Sequence, residues 1–511
     1  MSGPQGEGGH RAHRGAGFAT LITAALAVVL VAGTFRGSGA EADAAISIDA
    51  GKAIGISGMR LGTQFVWSGV LDRAPGTRPR FTALAAPLVR INVATDAPGL
   101  PLVMPAGVVQ GDWNFRNLDS LVTDIHNAGG DVVLTIAVAP HWMWNCATQT
   151  IRDLGFTEFA AYMARVVAYY NQGSFVAEDG RTITNPAGIA NRIIYWELWN
   201  EPDQPTGGCP QAANPNITAP QYVTMWNATV PKMLAVDPAI RLIGPTTGNA
   251  ISGRDPEYLP VLMAGAVRKP DVVSFHGYGG WLNSQSDEAL FDGDRGYGGI
   301  AEIERGLAQV QAWAPGIPIW VTELNVNSAW EEDDPAQRPW TACGVAWGAS
   351  AFLHLALGGV DAAFQYQFAH PDLRQFSLVD SNTGDPLLPY WRDYYLARYF
   401  PPGSTLLSAS SRLAQVEVLA ARPPRSRNVH VLVVNRRVDD GAPAAGVGLP
   451  ATVRIKLAGT HDVSGVTVRM LEASTPLQTG PAVVTLPADK TASVSFGGYG
   501  AALLEFALEP E

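Results

Sequence analysis

Between about residue 55 and residue 400 the chain alternates short β-rich apolar runs with longer stretches of helical periodicity. The apolar runs are Leu61–Val66, Leu88–Val93, Asp131–Val138, Ile193–Asn200, Ile240–Pro245, Asp271–His276, Pro318–Leu324 and Val360–Gln367, eight in all. Between them, Phe156–Tyr170 places Phe159, Tyr162, Met163, Val166, Val167 and Tyr170 on one helical face. The segments Pro220–Val236, Pro256–Val267, Ile300–Trp313 and Ala336–Leu357 are similar. Strands that are apolar almost throughout are buried on both faces, as in a parallel sheet covered by helices. Eight such units predict an α/β fold in which the sheet closes into a (β/α)8 barrel over 55–400. The rival is an open doubly wound sheet, which would carry a glycine-rich phosphate loop after its first strand; no convincing one is present.

After Pro401-Pro402-Gly403 the pattern changes. Short alternating runs at Leu413–Leu419, Val429–Asn435, Thr452–Leu457, Val466–Leu471, Ala482–Leu486 and Ala501–Ala507 are separated by Gly, Pro and Asp clusters. This predicts a C-terminal antiparallel β-sandwich domain over 401–511, with residues 46–58 as a candidate extra strand. A chain of 511 residues with 47% hydrophobic and 16% charged content has material for one large core and one small one.

Residues 1–42 read as a targeting segment. His10-Arg11-Ala12-His13-Arg14 is basic, Phe18–Gly33 is an apolar run, and Ala40-Glu41-Ala42 is a small-x-small cleavage site. Either the segment is a cleaved signal peptide or residues 18–33 remain as a membrane anchor; in both cases the expected location is secreted or extracytoplasmic.

The formal charge of −11 opposes nucleic-acid binding, since phosphate recognition needs a concentration of Lys and Arg that no stretch supplies. A neutral polyhydroxylated partner is easier to reconcile with it. Three cysteines, Cys146, Cys209 and Cys343, are too scattered for a zinc site, and no metal is expected. Cys146 and Cys209 fall in loops that follow neighbouring strands and are disulfide candidates, although spacing alone does not place their Cα atoms within reach.

Two strands end in a glutamate: Ile193-Ile194-Tyr195-Trp196-Glu197-Leu198-Trp199-Asn200-Glu201-Pro202 and Pro318-Ile319-Trp320-Val321-Thr322-Glu323-Leu324-Asn325. A carboxylate at the end of a buried strand is costly to desolvate and adds nothing to a core, so a pair suggests chemistry. In a barrel, residues ending strands four and seven face one pocket from separate parts of the ring. Trp196-Glu197-Leu198-Trp199-Asn200-Glu201-Pro202 and Trp320-Val321-Thr322-Glu323 resemble the corresponding segments of clan A glycoside hydrolases, with wording closest to family 39. The resemblance implies a retaining double displacement on a carbohydrate, with Glu201 as acid/base and Glu323 as nucleophile. It requires one carboxyl protonated, the other ionised, and a separation of about 5–5.5 Å. No cofactor is implied, because side chains supply both proton transfer and attack.

Further candidates follow from strand-end position. Asn200 is placed to donate to a sugar 2-hydroxyl. Ser274-Phe275-His276-Gly277-Tyr278-Gly279 ends strand six, where clan relatives carry a His and a Tyr. Tyr278 is the candidate hydrogen-bond partner of Glu323, and His276 a sugar or carboxylate contact. Arg90, near the end of strand two, is the candidate for holding Glu323 ionised. Trp142, Trp144, Trp281 and Trp330, all in loops, are candidates for a sugar platform, and His141 for a hydroxyl contact. Trp196, Trp199 and Trp320 lie inside strands and are assigned to packing. Many clan relatives end strand eight with a tryptophan; here Phe364-Gln365-Tyr366-Gln367-Phe368 has none, which leaves Tyr366 or Gln367 as substitutes. Glu197, four residues before Glu201, is expected roughly 13 Å deeper along the strand as a hydrogen-bonded barrel carboxylate. Alternatives to a hydrolase are a non-catalytic carbohydrate-binding or wall-associated barrel and a transglycosylase. Sugar identity, linkage, exo or endo action and oligomeric state are not legible in the residues.

Overall fold

The structure, a computed structural model, describes residues 45–93, 110–205, 209, 216–282, 284–293, 298–329, 338–371, 374–439 and 446–509. The targeting segment 1–42 and Trp330 therefore lie outside the described residues. Residues Ala44–Glu511 form one compact unit. Among the described residues no helix is long and apolar enough to cross a membrane.

Eight parallel strands close into a barrel. In chain order they are Arg60–Phe65, Leu88–Val93, Asp131–Ile136, Tyr195–Leu198, Arg241–Thr247, Val272–Tyr278, Ile319–Asn325 and Ala362–Gln365, called barrel strands one to eight below. Their alternation separates two layers. In strand two Leu88 points inward, whereas Val89, Ile91 and Val93 join the core shared with the helices. Leu88, Val133, Ile243, Val272, Trp320, Ala362 and Phe364 fill the inside of the barrel. Gly62 makes room for that filling: a Cβ there would lie 2.6 Å from the Phe364 ring. This apolar layer floors the barrel, and the buried polar groups of the site lie above it.

The expected helices form at Thr157–Asn171, Ala219–Val236, Tyr258–Gly265, Gly299–Trp313 and Ala342–Leu357. Thr218 caps the second of these in a reciprocal capping box with Gln221. Four more helices were not legible in the pattern: Thr77–Leu84, Arg116–Asn127, Asp287–Asp292 and Leu388–Tyr399. The last buries residues all round its axis, among them Tyr390, Trp391, Arg392 and Asp393, so it has no one-sided apolar stripe to read.

The second core belongs to a nine-stranded sheet. Its strand order is Val484–Leu486, Val463–Glu472, Gly500–Leu508, Val429–Asn435, Val416–Arg422, Ser404–Ser411, Ile46–Ser57, Ala451–Ala458, Thr491–Phe496. The sandwich was expected to be antiparallel; the sheet is mixed, because Ile46–Ser57, contributed from before the barrel, pairs parallel with Ala451–Ala458. Strand Val429–Asn435 serves both cores: Val429, Val431 and Val433 face the sandwich interior, and Leu432 and Val434 face the barrel helices.

A polar cluster also joins the two parts. Glu417 of the sheet accepts hydrogen bonds from Ser350 and Arg436, and His354 lies between Glu417 and Glu304. Burial pushes the Glu417 carboxyl up, but His354, Arg436 and Ser350 outweigh it and bring it down to about 2. That stabilisation is present above the ordinary carboxyl value and is lost as pH falls through about 2; it amounts to about 3 kcal/mol. For His354, burial lowers the imidazole value, but Glu417 and Glu304 raise it above the usual 6.5, so its share is lost as pH rises through the raised value. The stability advantage of wild type over Glu417→Gln, measured by urea unfolding, should peak near about pH 5–6 and shrink on either side.

Cys146 and Cys209 form a disulfide with a Cα–Cα distance of 5.3 Å, and Cys343 is buried in the helix Ala342–Leu357. The bridge ties the loop after strand three to the loop after strand four. With a sequence separation of 63 between the cysteines, loop-closure entropy gives a stabilisation of about 4 kcal/mol. Urea unfolding with and without a thiol reductant should differ by that order, with the reduced protein the weaker.

Candidate active site

Two local irregularities aim the glutamates. In strand seven Trp320 points into the barrel, so strict alternation would turn Thr322 inward and Glu323 outward. The register instead passes from Phe275↔Val321 to His276↔Glu323, and from Val321↔Ala363 to Leu324↔Gln365. One extra residue is accommodated as a bulge, and Glu323 faces the barrel mouth. At strand four the ladder ends at Leu198, and the chain turns through left-handed conformations at Trp199 (φ 76°) and Glu201 (φ 44°). Such conformations persist in non-glycine residues only where the surroundings fix them. Here Asn200 N–H donates to Ala137 O (3.0 Å), Glu201 N–H to Thr246 O (2.8 Å), and the Trp199 indole to Asn216 Oδ1 (2.9 Å).

Above the apolar floor lies a polar layer centred on Arg90, which is fully buried. Its Nε donates to Glu197 Oε2 (2.6 Å), Nη1 to Gln64 Oε1 (2.8 Å) and Glu323 Oε1 (2.7 Å), and Nη2 to Asn200 Oδ1 (2.6 Å). Thr135 adds a 2.7 Å hydrogen bond to Glu197. Burial pushes the Glu197 carboxyl up, but the charge of Arg90, the Thr135 hydroxyl and the charge of His276 hold it below the usual range. The expected depth of Glu197 needs correction: it shares Arg90 with Glu323 directly beneath the rim. The chain does not continue extended from Glu197 to Glu201 but turns through left-handed conformations at Trp199 and Glu201, so a count of four strand rises does not apply.

On the rim, one carboxylate oxygen of Glu201, one of Glu323 and a ring nitrogen of His276 lie within 4.8 Å of one another. His276 Nδ1 is 2.8 Å from Glu201 Oε1 and 3.5 Å from Glu323 Oε2, and the Tyr278 hydroxyl donates to Glu323 Oε2 (2.6 Å). Burial pushes the Glu323 carboxyl up; the facing charges of His276 and Arg90 and the hydrogen bonds from Tyr278 and Arg90 outweigh it and hold Glu323 below the usual range. For His276 burial favours the neutral ring, but Glu323 and Glu201 raise its value above the usual 6.5. Burial and the charge of Glu323 push the Tyr278 hydroxyl far up, so it stays a donor. A metal ion shared by the three groups would displace these bonds and meet the fixed charge of Arg90, 2.7 Å from Glu323.

The remaining candidates separate. Asn200 has its Oδ1 occupied by Arg90, which leaves its Nδ2 as the presented donor. Tyr366 is buried and packs edge-on to Tyr278 at 6.3 Å between ring centroids. His141 and Trp142 sit half-buried in the turn after strand three, with the Arg152 guanidinium 5.0 Å from the Trp142 ring. Trp144 is placed otherwise than expected. It is buried, packs against Trp199 at 6.3 Å and donates its indole to Ala139 O, which leaves no ring face for a sugar. Trp281, after strand six, is 54% exposed. Not anticipated were Gln64, which accepts from Arg90 and lies 3.5 Å from Glu323, and Thr135. Each is a polar residue that is fully buried at an inward strand position, Gln64 in strand one and Thr135 in strand three, and a polar side chain within such a strand was a signal available in the sequence.

Fold and site together define a class: a closed (β/α)8 barrel with an attached β-sandwich, carrying two facing glutamates at the C-terminal mouth. No protein-family model matches the chain, and no curated protein matches it. Among solved structures, it is similar to a GH39 β-xylosidase from Caulobacter crescentus (16% identity, 90% of this chain and 99% of that one, TM-score 0.60). It is also similar to a GH30 endoxylanase from Clostridium papyrosolvens C71 (13% identity, 90% and 99%, TM-score 0.56). A third is a glucosidase from Croceicoccus marinus (15% identity, 92% and 100%, TM-score 0.60). At these identities the likeness establishes the shared fold, over the barrel and the sandwich alike.

Proposed function

We propose that this protein is a retaining glycoside hydrolase that cleaves O-glycosidic bonds by double displacement. The carrying observation is the 4.8 Å envelope that holds oxygens of Glu201 and Glu323 together with His276. Retention works with carboxyls about 5–5.5 Å apart, whereas inversion needs about 6.5–9.5 Å to admit a water. In the first step Glu323 attacks the anomeric carbon, the bond to the leaving oxygen breaks, and Glu201 gives that oxygen its proton. In the second step Glu201 takes a proton from water as the water attacks the anomeric carbon, and the ester to Glu323 breaks. Arg90, Tyr278 and Gln64 keep Glu323 charged and immobile, and His276 orients Glu201. The Asn200 amide, fixed by Arg90, presents its donor where a sugar 2-hydroxyl would sit.

The similar structures are named as xylosidase, xylanase and glucosidase, so β-xylosides and β-glucosides are the first substrates to test. Export is part of the proposal, supported by the pattern of residues 1–42 and by a disulfide, which persists in oxidising compartments. With 4-nitrophenyl β-glycosides, proton NMR of the first-formed sugar should show the β-anomer. An α-anomer first, or sugar binding without turnover by wild type, would overturn the reading.

A further inference from the structure

Asp203 follows Glu201 by two residues and is fully buried. Its carboxylate accepts from Gly248 N–H (3.0 Å) and from the Gln204 amide (3.1 Å). Among the described residues no Lys or Arg pairs with it; Arg254 Nε reaches its backbone carbonyl instead (3.1 Å). A buried carboxyl without a cation weakens a fold unless its bonds do something apolar residues cannot. Burial, with the charge of Glu201 added, pushes this carboxyl up to about 6.

What the bonds do is visible in the backbone. Glu201 N–H donates to Thr246 O (2.8 Å), and two residues further along both chains Gly248 N–H donates back to Asp203 Oδ1. The pair brackets two left-handed residues, Glu201 (φ 44°) and Thr246 (φ 60°). The Tyr258 hydroxyl, which bonds Pro202 O (3.1 Å), and Arg254 hold 202–203 to later parts of the chain. The Asp203 carboxylate is what closes the bracket onto the end of strand five.

We propose that Asp203 is a positioning residue: by clasping Gly248 it fixes the turn that aims the Glu201 carboxyl at the leaving-group oxygen. This rests on the acid/base reading of Glu201. Misplacing a proton donor harms departure of a poor leaving group and spares one that leaves as a stable anion. The test is therefore kcat/KM, which reports the first bond-breaking step, for a dinitrophenyl glycoside and for an unactivated disaccharide of the same sugar. Asp203→Ala should lose roughly 30-fold on the disaccharide and no more than about 3-fold on the dinitrophenyl substrate. Asp203→Asn, which keeps an acceptor for Gly248, should recover to within about 5-fold of wild type on the disaccharide. Should Asp203→Ala fail to fold, Asp203→Glu, with its carboxylate displaced by one methylene, should show the same split. Equal losses on both substrates, or none on either, would overturn the proposal. Glu201→Ala run in parallel separates the two readings: a missing split there rejects the acid assignment itself and Asp203 with it, whereas a split confined to Glu201→Ala rejects only the role of Asp203.

Discussion

Glu323→Ala is expected to lower turnover of aryl β-glycosides by at least about 10⁴-fold, the largest effect of any single substitution in this protein. The loss is specific because the surroundings exist to keep this carboxylate charged: Arg90 at 2.7 Å, Tyr278 at 2.6 Å and His276 at 3.5 Å have no equivalent nucleophile to serve once it is gone. Azide should enter the vacated space and attack from the same face, with product accumulating as the α-glycosyl azide. Stability should change little, because Arg90 keeps Glu197 as a partner. Steady-state kinetics and NMR of the azide product check the prediction; a loss below about tenfold would remove Glu323 from the nucleophile role.

Arg90→Met should destabilise the protein by about 3–5 kcal/mol, since it removes the buried guanidinium that pairs directly with both Glu197 and Glu323. Three guanidinium nitrogens serve four partners, so Arg90→Lys, a single compact charge, should recover only a small part. Adding Glu197→Gln to Arg90→Met should restore stability in part, because it removes one of the two stranded charges. Activity should stay low in that double variant, since Glu323 still lacks its guanidinium partner and the Asn200 amide its orientation. Urea unfolding measures the first effect and kcat the second; a loss under about 1 kcal/mol for Arg90→Met would mean that water or relaxation replaces the guanidinium.

The eight barrel strands were readable because burial on both faces leaves a continuous apolar run. Glu201 and Glu323 were readable because a carboxylate at the end of such a run has no packing reason to be there. The role of Arg90 was anticipated for Glu323 but not for Glu197, Gln64 and Asn200, because a guanidinium advertises its charge and not its number of partners. The tryptophans were divided by local element, which failed for Trp144: it stands in a loop region yet is buried against Trp199.

By itself the sequence determined the eight apolar strand runs, five of the helices and which strand ends carry acids, since each of these depends on neighbours along the chain. Only the tertiary structure decided where those acids point. Alternation from Trp320 would have sent Glu323 outward, and the bulge at Thr322 turns it in; the left-handed turn at Trp199 and Glu201 brings the other glutamate over the same opening. The reason is that side-chain direction is set by hydrogen bonds between strands that ring closure makes neighbours, such as Arg90 with Glu323 at a separation of 233 residues, and no local pattern records them.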